Sequence, residues 1–212
     1  MKIEEHLLGF DAREMLPTAE GWPAERRQSL LLANVRKPLS ADSAVWLSLF
    51  DDGISGILRP GVPTLIPPRW TGPNASLWDD FTNLEVHLVT AKIAIPYWLV
   101  AFTWHADSAS LREPRSYGPY DEPMRPPVRG PDWILLGFDV GTGGLLSGLM
   151  NCGFGGDREK LSEEWGPHLN DHHLFKELEI ALAFRPVANN VIPEHKPFFV
   201  YGLWLIRKAN AF

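Results

Sequence analysis

The sequence WILLGFDVGTGGLLSGLMNC, residues 133–152, decides the fold of this chain. It joins an apolar run, the single acid Asp139, a glycine-rich turn and a second apolar run that ends at the only cysteine, Cys152. A stretch with one charge indicates burial in a core. Residues 133–140 predict a strand, and FFVYGLWLI at 198–206 predicts a matching one. We expect both to be central strands that pair with each other.

Further strands are predicted between residues 84 and 104. Leu84, Val86 and Leu88 alternate with polar residues, a pattern typical of a strand with one buried face. Residues 93–104 are rich in β-branched and aromatic side chains and predict one or two strands bent at Pro96. Together these segments predict an α+β fold with a mostly antiparallel sheet of about five strands.

Helices are predicted mainly in the N-terminal part, with one more helix before the last strand. Apolar spacing and capping residues indicate the following segments: a short helix or irregular arm at 3–15, helices at 23–35 and 43–50, a helix at 161–165, and a helix at 172–184 that Pro186 ends. Residues 59–73, with five prolines, predict an extended loop without regular structure. We predict one domain over 1–212; the alternative is a helical subdomain at 1–58.

The composition excludes several classes of protein. The net charge of −6 and the scattered basic residues disfavour a nucleic-acid binder, which needs clustered Lys and Arg. No apolar run approaches the roughly 20 residues that span a bilayer, so we expect no membrane partner. The first residues lack a secretory signal, and a single cysteine excludes an internal disulfide. We therefore expect a cytoplasmic protein.

The turn after the predicted strand at 133–140 has a glycine pattern found in phosphate loops. Residues 138–143, FDVGTG, resemble the first phosphate segment of the actin-like sugar kinases. In that family the motif opens a long chain of two domains, whereas about 70 residues follow it here. We therefore interpret the segment as a tight turn that leads into a buried continuation at 145–150.

Several histidines near the C-terminus could bind a divalent metal. His168 and His172 are four residues apart and would share one helix face, and Glu194 and His195 could complete a site. The alternative is that these histidines make local hydrogen bonds near a helix cap. Residues 171–173, DHH, resemble the signature triplet of the DHH phosphoesterases, but the further aspartate motif of those enzymes is missing. No complete catalytic set is recognised.

The long connection at 107–131 is the strongest candidate for a binding loop. It contains REPRSYGPYDEPMRPPVRGP at 112–131, and long Pro-rich loops in compact domains often bind partners. The candidate contact residues, mostly from this loop, are Arg112, Arg115, Tyr117, Tyr120, Arg125 and Trp165.

Two functions follow from these patterns. The first is a protein-binding module without a cofactor, of the kind exemplified by immunity proteins and antitoxin-type inhibitors, because an acidic chain rich in tryptophan suits capture of a basic partner. The alternative is a metal-dependent enzyme or small-molecule-binding protein that uses His168, His172 and His195. A homo-oligomer is compatible with either function.

Overall fold

A computed structural model describes residues 2–14, 69–72, 75–78, 80–90, 97–113, 126–127, 129–143, 147–149, 158–170, 172 and 174–209. In chain order, its strands and α-helices are β1 (Glu4–Glu14), β2 (Arg69–Gly72), β3 (Ala75–Leu77), α1 (Phe81–Thr90), β4 (Tyr97–Ala106), β5 (Ile134–Thr142), α2 (Arg158–Trp165), α3 (Leu178–Val191) and β6 (Phe198–Ala209). Short 3₁₀ turns follow β4 at Ser110–Arg112 and α2 at Gly166–His168.

The main sheet has four antiparallel strands in the order β1-β4-β6-β5. It confirms the α+β fold, with four strands in this sheet instead of about five, and it confirms the pairing of the two apolar segments as β5 and β6. β2 and β3 form a separate two-stranded sheet. The helix before the last strand is confirmed as α3, and the short helix at 161–165 as the end of α2.

Among the strands that the structure describes, β5 lies at the edge of the sheet, which contradicts the prediction of a central strand. Its apolar sequence reflects cover by segments that are not strands. The Phe138 N–H donates to the Phe175 carbonyl (2.9 Å), the Phe175 N–H donates back to Phe138 (2.8 Å), and the Gly148 N–H donates to Val140 (2.6 Å). Loops therefore bury this part of β5 without adding a strand.

Two apolar clusters lie on the same face of the sheet, because Val200 and Trp204 of β6 are four residues apart and point to the same side. One cluster packs α3 on β5 and β6 through buried residues that include Phe138, Val140, Ala181, Phe184, Ala188, Phe198 and Val200. The other packs α1 and Trp78 on β1 and β4 through Phe10, Ala12, Leu84, Leu88, Leu99 and Ala101.

Residues 4–14 of the segment predicted at 3–15 form the strand β1, so the prediction of a helix or irregular arm is wrong there. The hydrogen-bonded pairing of β1 with β4 shifts register between Leu7 and Gly9. This shift interrupts the alternation of apolar and polar residues that would predict a strand. Gly9 is needed there, since a Cβ atom would lie 2.6 Å from the Trp78 carbonyl oxygen. That close approach lets Phe10 and Trp78 exchange backbone hydrogen bonds of 2.7 and 2.9 Å.

The strand predicted from Leu84, Val86 and Leu88 is the helix α1. Asp80 Oδ1 accepts a hydrogen bond from the Asn83 N–H (2.9 Å), which caps the first turn. Leu84 and Leu88 are buried together with His87, at helical spacing, while Val86 is 48% exposed. Three alternating apolar residues fit both the strand repeat and the helix repeat, and the cap at Asp80 favours the helix.

The predicted helix at 172–184 begins later and ends later than expected. Asn170 Oδ1 accepts hydrogen bonds from the backbone N–H groups of His172 (2.8 Å) and Leu174 (3.2 Å), which holds this segment out of a helix. α3 then continues through Pro186, at a cost of about 3 kcal/mol for an interior proline. Burial of the apolar side chains on both sides of that proline offsets the cost.

Other predictions are tested only in part. β4 includes residues 97–104 of the strands predicted at 93–104, whereas the predicted bend at Pro96 lies outside the described residues. Residues 69–72 of the predicted Pro-rich loop form β2, so the prediction of no regular structure is wrong at those residues. The helices predicted at 23–35 and 43–50 and most of the loops at 59–73 and 107–131 lie outside the described residues. The prediction of one domain stays a prediction. Among the helices in the described ranges, none is long and apolar enough to cross a membrane.

Candidate functional site

The predicted contact residues fall in different places. Arg112 is exposed at the end of a 3₁₀ turn. Trp165 is half-buried, with its ring centroid 5.2 Å from Phe184, so part of its surface belongs to the core. The side chains of Arg115, Tyr117, Tyr120 and Arg125 lie outside the described residues. The binding role of this set stays a prediction.

The four predicted metal ligands are all described. His168, Glu194 and His195 are exposed, and His172 is half-buried with its ring edge-on to Trp98 at 6.0 Å. Within the described ranges, no three His, Cys, Asp or Glu side chains are grouped so that they could hold a metal ion. The metal site therefore stays a prediction from sequence without a supporting geometry.

Asp139, before the glycine-rich turn, is fully buried. Its Oδ1 atom accepts hydrogen bonds from the Val140 N–H (2.7 Å) and the Ser147 hydroxyl (2.8 Å). These contacts tie the turn to the residues that follow it. The carboxylate faces the interior, which agrees with the interpretation of this segment as a structural turn.

A polar cluster that the sequence patterns do not predict lies between the two apolar clusters, with two buried members, Thr103 and His105. It comprises Glu5, Thr103, His105, Arg129 and Trp204, and we call it the polar cluster. The Thr103 hydroxyl accepts from the indole N–H of Trp204 (3.1 Å) and lies 3.3 Å from His105 Nε2. Arg129 donates to Glu5 and stacks its guanidinium 3.9 Å from the centre of the Trp204 ring.

Gly202 of β6 makes room for the polar cluster. It pairs with Thr103 of β4, and a Cβ atom at this position would lie 2.6 Å from Thr103 Oγ1 and 2.8 Å from His105 Nε2. Both distances are shorter than any ordinary contact. Glycine is therefore required at position 202, because any side chain there would overlap the polar cluster.

His105 is neutral at physiological pH. Burial, and to a smaller degree the nearby His6, lowers the pKa of His105 to about 4. The 3.6 Å separation between His105 Nε2 and Glu5 Oε1 is thus a contact between a carboxylate and a neutral ring. Arg129 neutralises the Glu5 carboxylate from its other oxygen.

The polar cluster lacks the geometry for activating a nucleophile. A hydroxyl nucleophile needs a histidine whose two ring nitrogens contact different groups, the hydroxyl and an orienting carboxylate. Here Thr103 and Glu5 both approach Nε2 of His105. Thr103 is also fully buried. The arrangement fixes strands β1, β4 and β6 to one another and to Arg129.

A buried ion pair follows the polar cluster at the end of β4. Arg185 of α3 donates from Nη1 and Nη2 to the two carboxylate oxygens of Asp107, at 2.8 and 2.7 Å. The Ser110 N–H donates to Asp107 Oδ1 (2.7 Å), and the Asp107 N–H donates to the Ser110 hydroxyl (2.9 Å). Burial opposes ionisation of Asp107, but the hydrogen bonds from Arg185 and Ser110 outweigh it and hold its pKa below the usual range.

A pocket of about 340 Å³ opens beside this ion pair. Its walls come from the turn after β4, the C-terminal half of α3 and the residues before β6. Sequence alone offers one signal for this region, because Thr103, His105 and Asp107 place polar groups at every second position of an otherwise apolar strand.

An exposed surface lies at the start of β5. Ile134 and Leu135 are 60% and 37% exposed, and no residue of the described ranges bridges the outer edge of the strand there. Trp133, half-buried, precedes them, and Leu135 pairs with Trp204, on which Arg129 stacks. We call Arg129, Trp133, Ile134, Leu135 and Trp204 the β5 edge surface.

Comparisons with known proteins give no further indication of identity. No family model matches the chain, and neither a curated protein nor a solved structure matches it. The fold and the side chains described above therefore carry the functional argument.

Proposed function

We propose that this chain is a cytoplasmic binding protein that holds a protein partner, in the manner of immunity proteins and antitoxin-type inhibitors. In this proposal the β5 edge surface contacts the partner. The observation that supports it is the start of β5, where no residue of the described ranges bridges the strand edge. Leu135 is exposed there next to Trp204, on which Arg129 stacks, and Ile134 is exposed on the opposite face of the strand.

An uncovered strand edge offers backbone N–H and C=O groups that pair readily with an extended chain. Loop residues contact β5 at Phe138 and Val140, whereas no described residue bridges it at Ile134 and Leu135. A partner segment that adds a strand there would cover both aliphatic side chains. Aromatic residues and arginine, which this surface also contains, commonly dominate binding energy at protein interfaces.

The partner is expected to be basic. The chain carries a net charge of −6, and the exposed Asp132 lies next to the aliphatic pair. Opposite charges accelerate association and disfavour wrong partners. A basic toxin or effector protein with an extended aliphatic segment fits this chemistry. The chain would inhibit such a partner by covering its surface, which needs no catalytic group in this chain.

Site-specific photo-crosslinking in the cells of origin tests the proposal. A photoreactive residue replaces Ile134 in one variant and Val89 in a matched control, since Val89 is 62% exposed on the outer side of α1. We expect one predominant adduct with a basic protein from position 134 and not from position 89. The same adducts at both positions, an adduct of the chain with itself, or no adduct would contradict the proposal.

A further inference from the structure

The pocket beside the Asp107–Arg185 pair has the chemistry of a ligand site separate from the β5 edge surface. We propose that it binds a small zwitterion of the free amino acid class. In this proposal Lys196 and Asn189 hold the ligand carboxylate, and Glu113 holds its ammonium group. The pocket volume of about 340 Å³ lies within the range of small-molecule sites.

The floor of the pocket is fixed before any ligand arrives. Ser110 and Arg185 line it, and both are held by Asp107, whose exposure is 3%. The bidentate ion pair with Asp107 restricts rotation of the Arg185 side chain, and the hydrogen bonds with Asp107 restrict Ser110. A ligand therefore meets a rigid surface and loses less free energy to ordering.

Asn189 supplies two free donors on the wall of the pocket. Its side-chain oxygen accepts the Phe198 N–H at 2.9 Å, which determines the orientation of the amide. The amide NH₂ group has no acceptor among the described residues, although Asn189 is half-buried. An oxygen atom of a ligand would satisfy these donors.

Lys196 and Glu113 carry opposite charges on the same pocket. Both are exposed, and within the described part of the chain neither side chain forms an ion pair or a hydrogen bond. A molecule that carries both an anionic and a cationic group can reach both residues. Two such contacts at a fixed separation would also select for the spacing of the ligand groups.

The charge balance favours a zwitterion over a simple anion such as phosphate. Arg185 and Lys196 contribute two positive charges, and Asp107 and Glu113 contribute two negative charges, so the region is neutral.

Thermal unfolding with a panel of small molecules tests the proposal. The probes are the individual amino acids at millimolar concentration, with acetate alone, methylamine alone and a neutral sugar for comparison. We expect at least one amino acid to raise Tm and to shift NMR signals of Glu113, Asn189 and Lys196, whereas the comparison molecules do neither. Absence of any response to amino acids, or an equal response to acetate or sugar, overturns the proposal.

Variants of Lys196, Glu113 and Asn189 locate the site. Lys196→Gln and Glu113→Gln should each weaken amino acid binding about tenfold, because each removes one charge-assisted contact. Asn189→Asp keeps an oxygen for the Phe198 N–H but removes the free donors, so it should also weaken binding. Lys160→Gln and Glu159→Gln, exposed on α2, are the controls and should bind like the parent protein. Unchanged binding in all three pocket variants overturns the assignment.

These outcomes are independent of the proposed protein partner. The photo-crosslinking experiment reports on the start of β5, whereas the amino acid panel uses the isolated protein and the pocket next to α3. Failure of one leaves the other standing.

Discussion

The carboxylate of Asp107 at the end of β4 and the guanidinium of Arg185 in α3 form a two-pronged ion pair that joins the sheet to the helix packed on it. The side chains are 4% and 11% exposed. Because Asp107 is buried, the ion pair resists screening by salt, and loss of Arg185 leaves the Asp107 charge in a buried site without its partner.

Arg185→Met should destabilise the protein by about 3 kcal/mol, because it leaves the Asp107 charge buried without its partner. Urea unfolding measures this loss. The double variant Asp107→Asn with Arg185→Met should lose less than the single variant, since it buries no charge. Lys160→Met on the exposed side of α2 is the control and should change stability by less than about 0.5 kcal/mol. An Arg185 variant as stable as this control contradicts a stabilising role for the pair.

Stability should fall in mild acid because of His105. Its pKa is about 4 in the folded protein and 6.5 as the ordinary value, so the unfolded chain binds more protons between those values. The stabilisation is complete above about pH 6.5 and is lost as pH falls towards about pH 4. Across this window the unfolding free energy should decrease by about 3 kcal/mol because of this group.

His105→Gln checks the origin of that pH dependence. The variant should be less stable at neutral pH, because it disturbs the contact with Thr103, but its stability should change less between about pH 6.5 and about pH 4. A smaller slope will remain from His6 and His87, whose pKa values burial also lowers. The exposed His168→Asn is the control. A variant slope equal to that of the parent would show that His105 does not cause the effect.

Gly202→Ala should destabilise the protein by about 2 kcal/mol, because the new methyl group meets Thr103 and His105 in the packed polar cluster. Gly130→Ala is the matched control. Its Cβ would meet only the half-buried Trp133 ring, at 3.1 Å, and that side chain can move. Thermal unfolding compares the two, and equal shifts in Tm would contradict the tight packing of the polar cluster.

Metal analysis addresses the site predicted from His168, His172, Glu194 and His195. Protein purified without a histidine tag should contain less than one equivalent of zinc, manganese, iron or nickel, because three of these residues are exposed and no group of ligands forms in the described ranges. Added metal should leave Tm unchanged. A stoichiometric metal that is lost in His168→Ala would restore the enzyme hypothesis.

Sequence patterns predict the apolar strands β5 and β6 better than β1 and α1. The long apolar runs of β5 and β6 indicate two paired strands, because burial of so many apolar residues has few alternatives. The sequence does not predict β1, because the register shift near Gly9 interrupts the alternation typical of a strand. It does not predict α1, because the short apolar pattern there fits a strand repeat and a helix repeat equally well. β1 depends on its contact with the distant Trp78, and α1 depends on packing against β1 and β4.

The candidate sites depend even more on long-range contacts. Arg129 reaches Glu5 across 124 positions, and Arg185 reaches Asp107 across 78. No local pattern indicates such pairs. The sequence does place polar residues at 103, 105 and 107 on one face of β4, which marks the region but not its partners.

The affinity for the partner captured at Ile134 tests the central claim most directly. Leu135→Glu places a charge on the β5 edge surface, and Val89→Glu places the same charge on α1, at a position that is more exposed. We expect Leu135→Glu to weaken binding at least about tenfold, with a faster dissociation rate, and Val89→Glu to leave it unchanged. Equal affinities for the two variants would contradict recognition through the edge of β5.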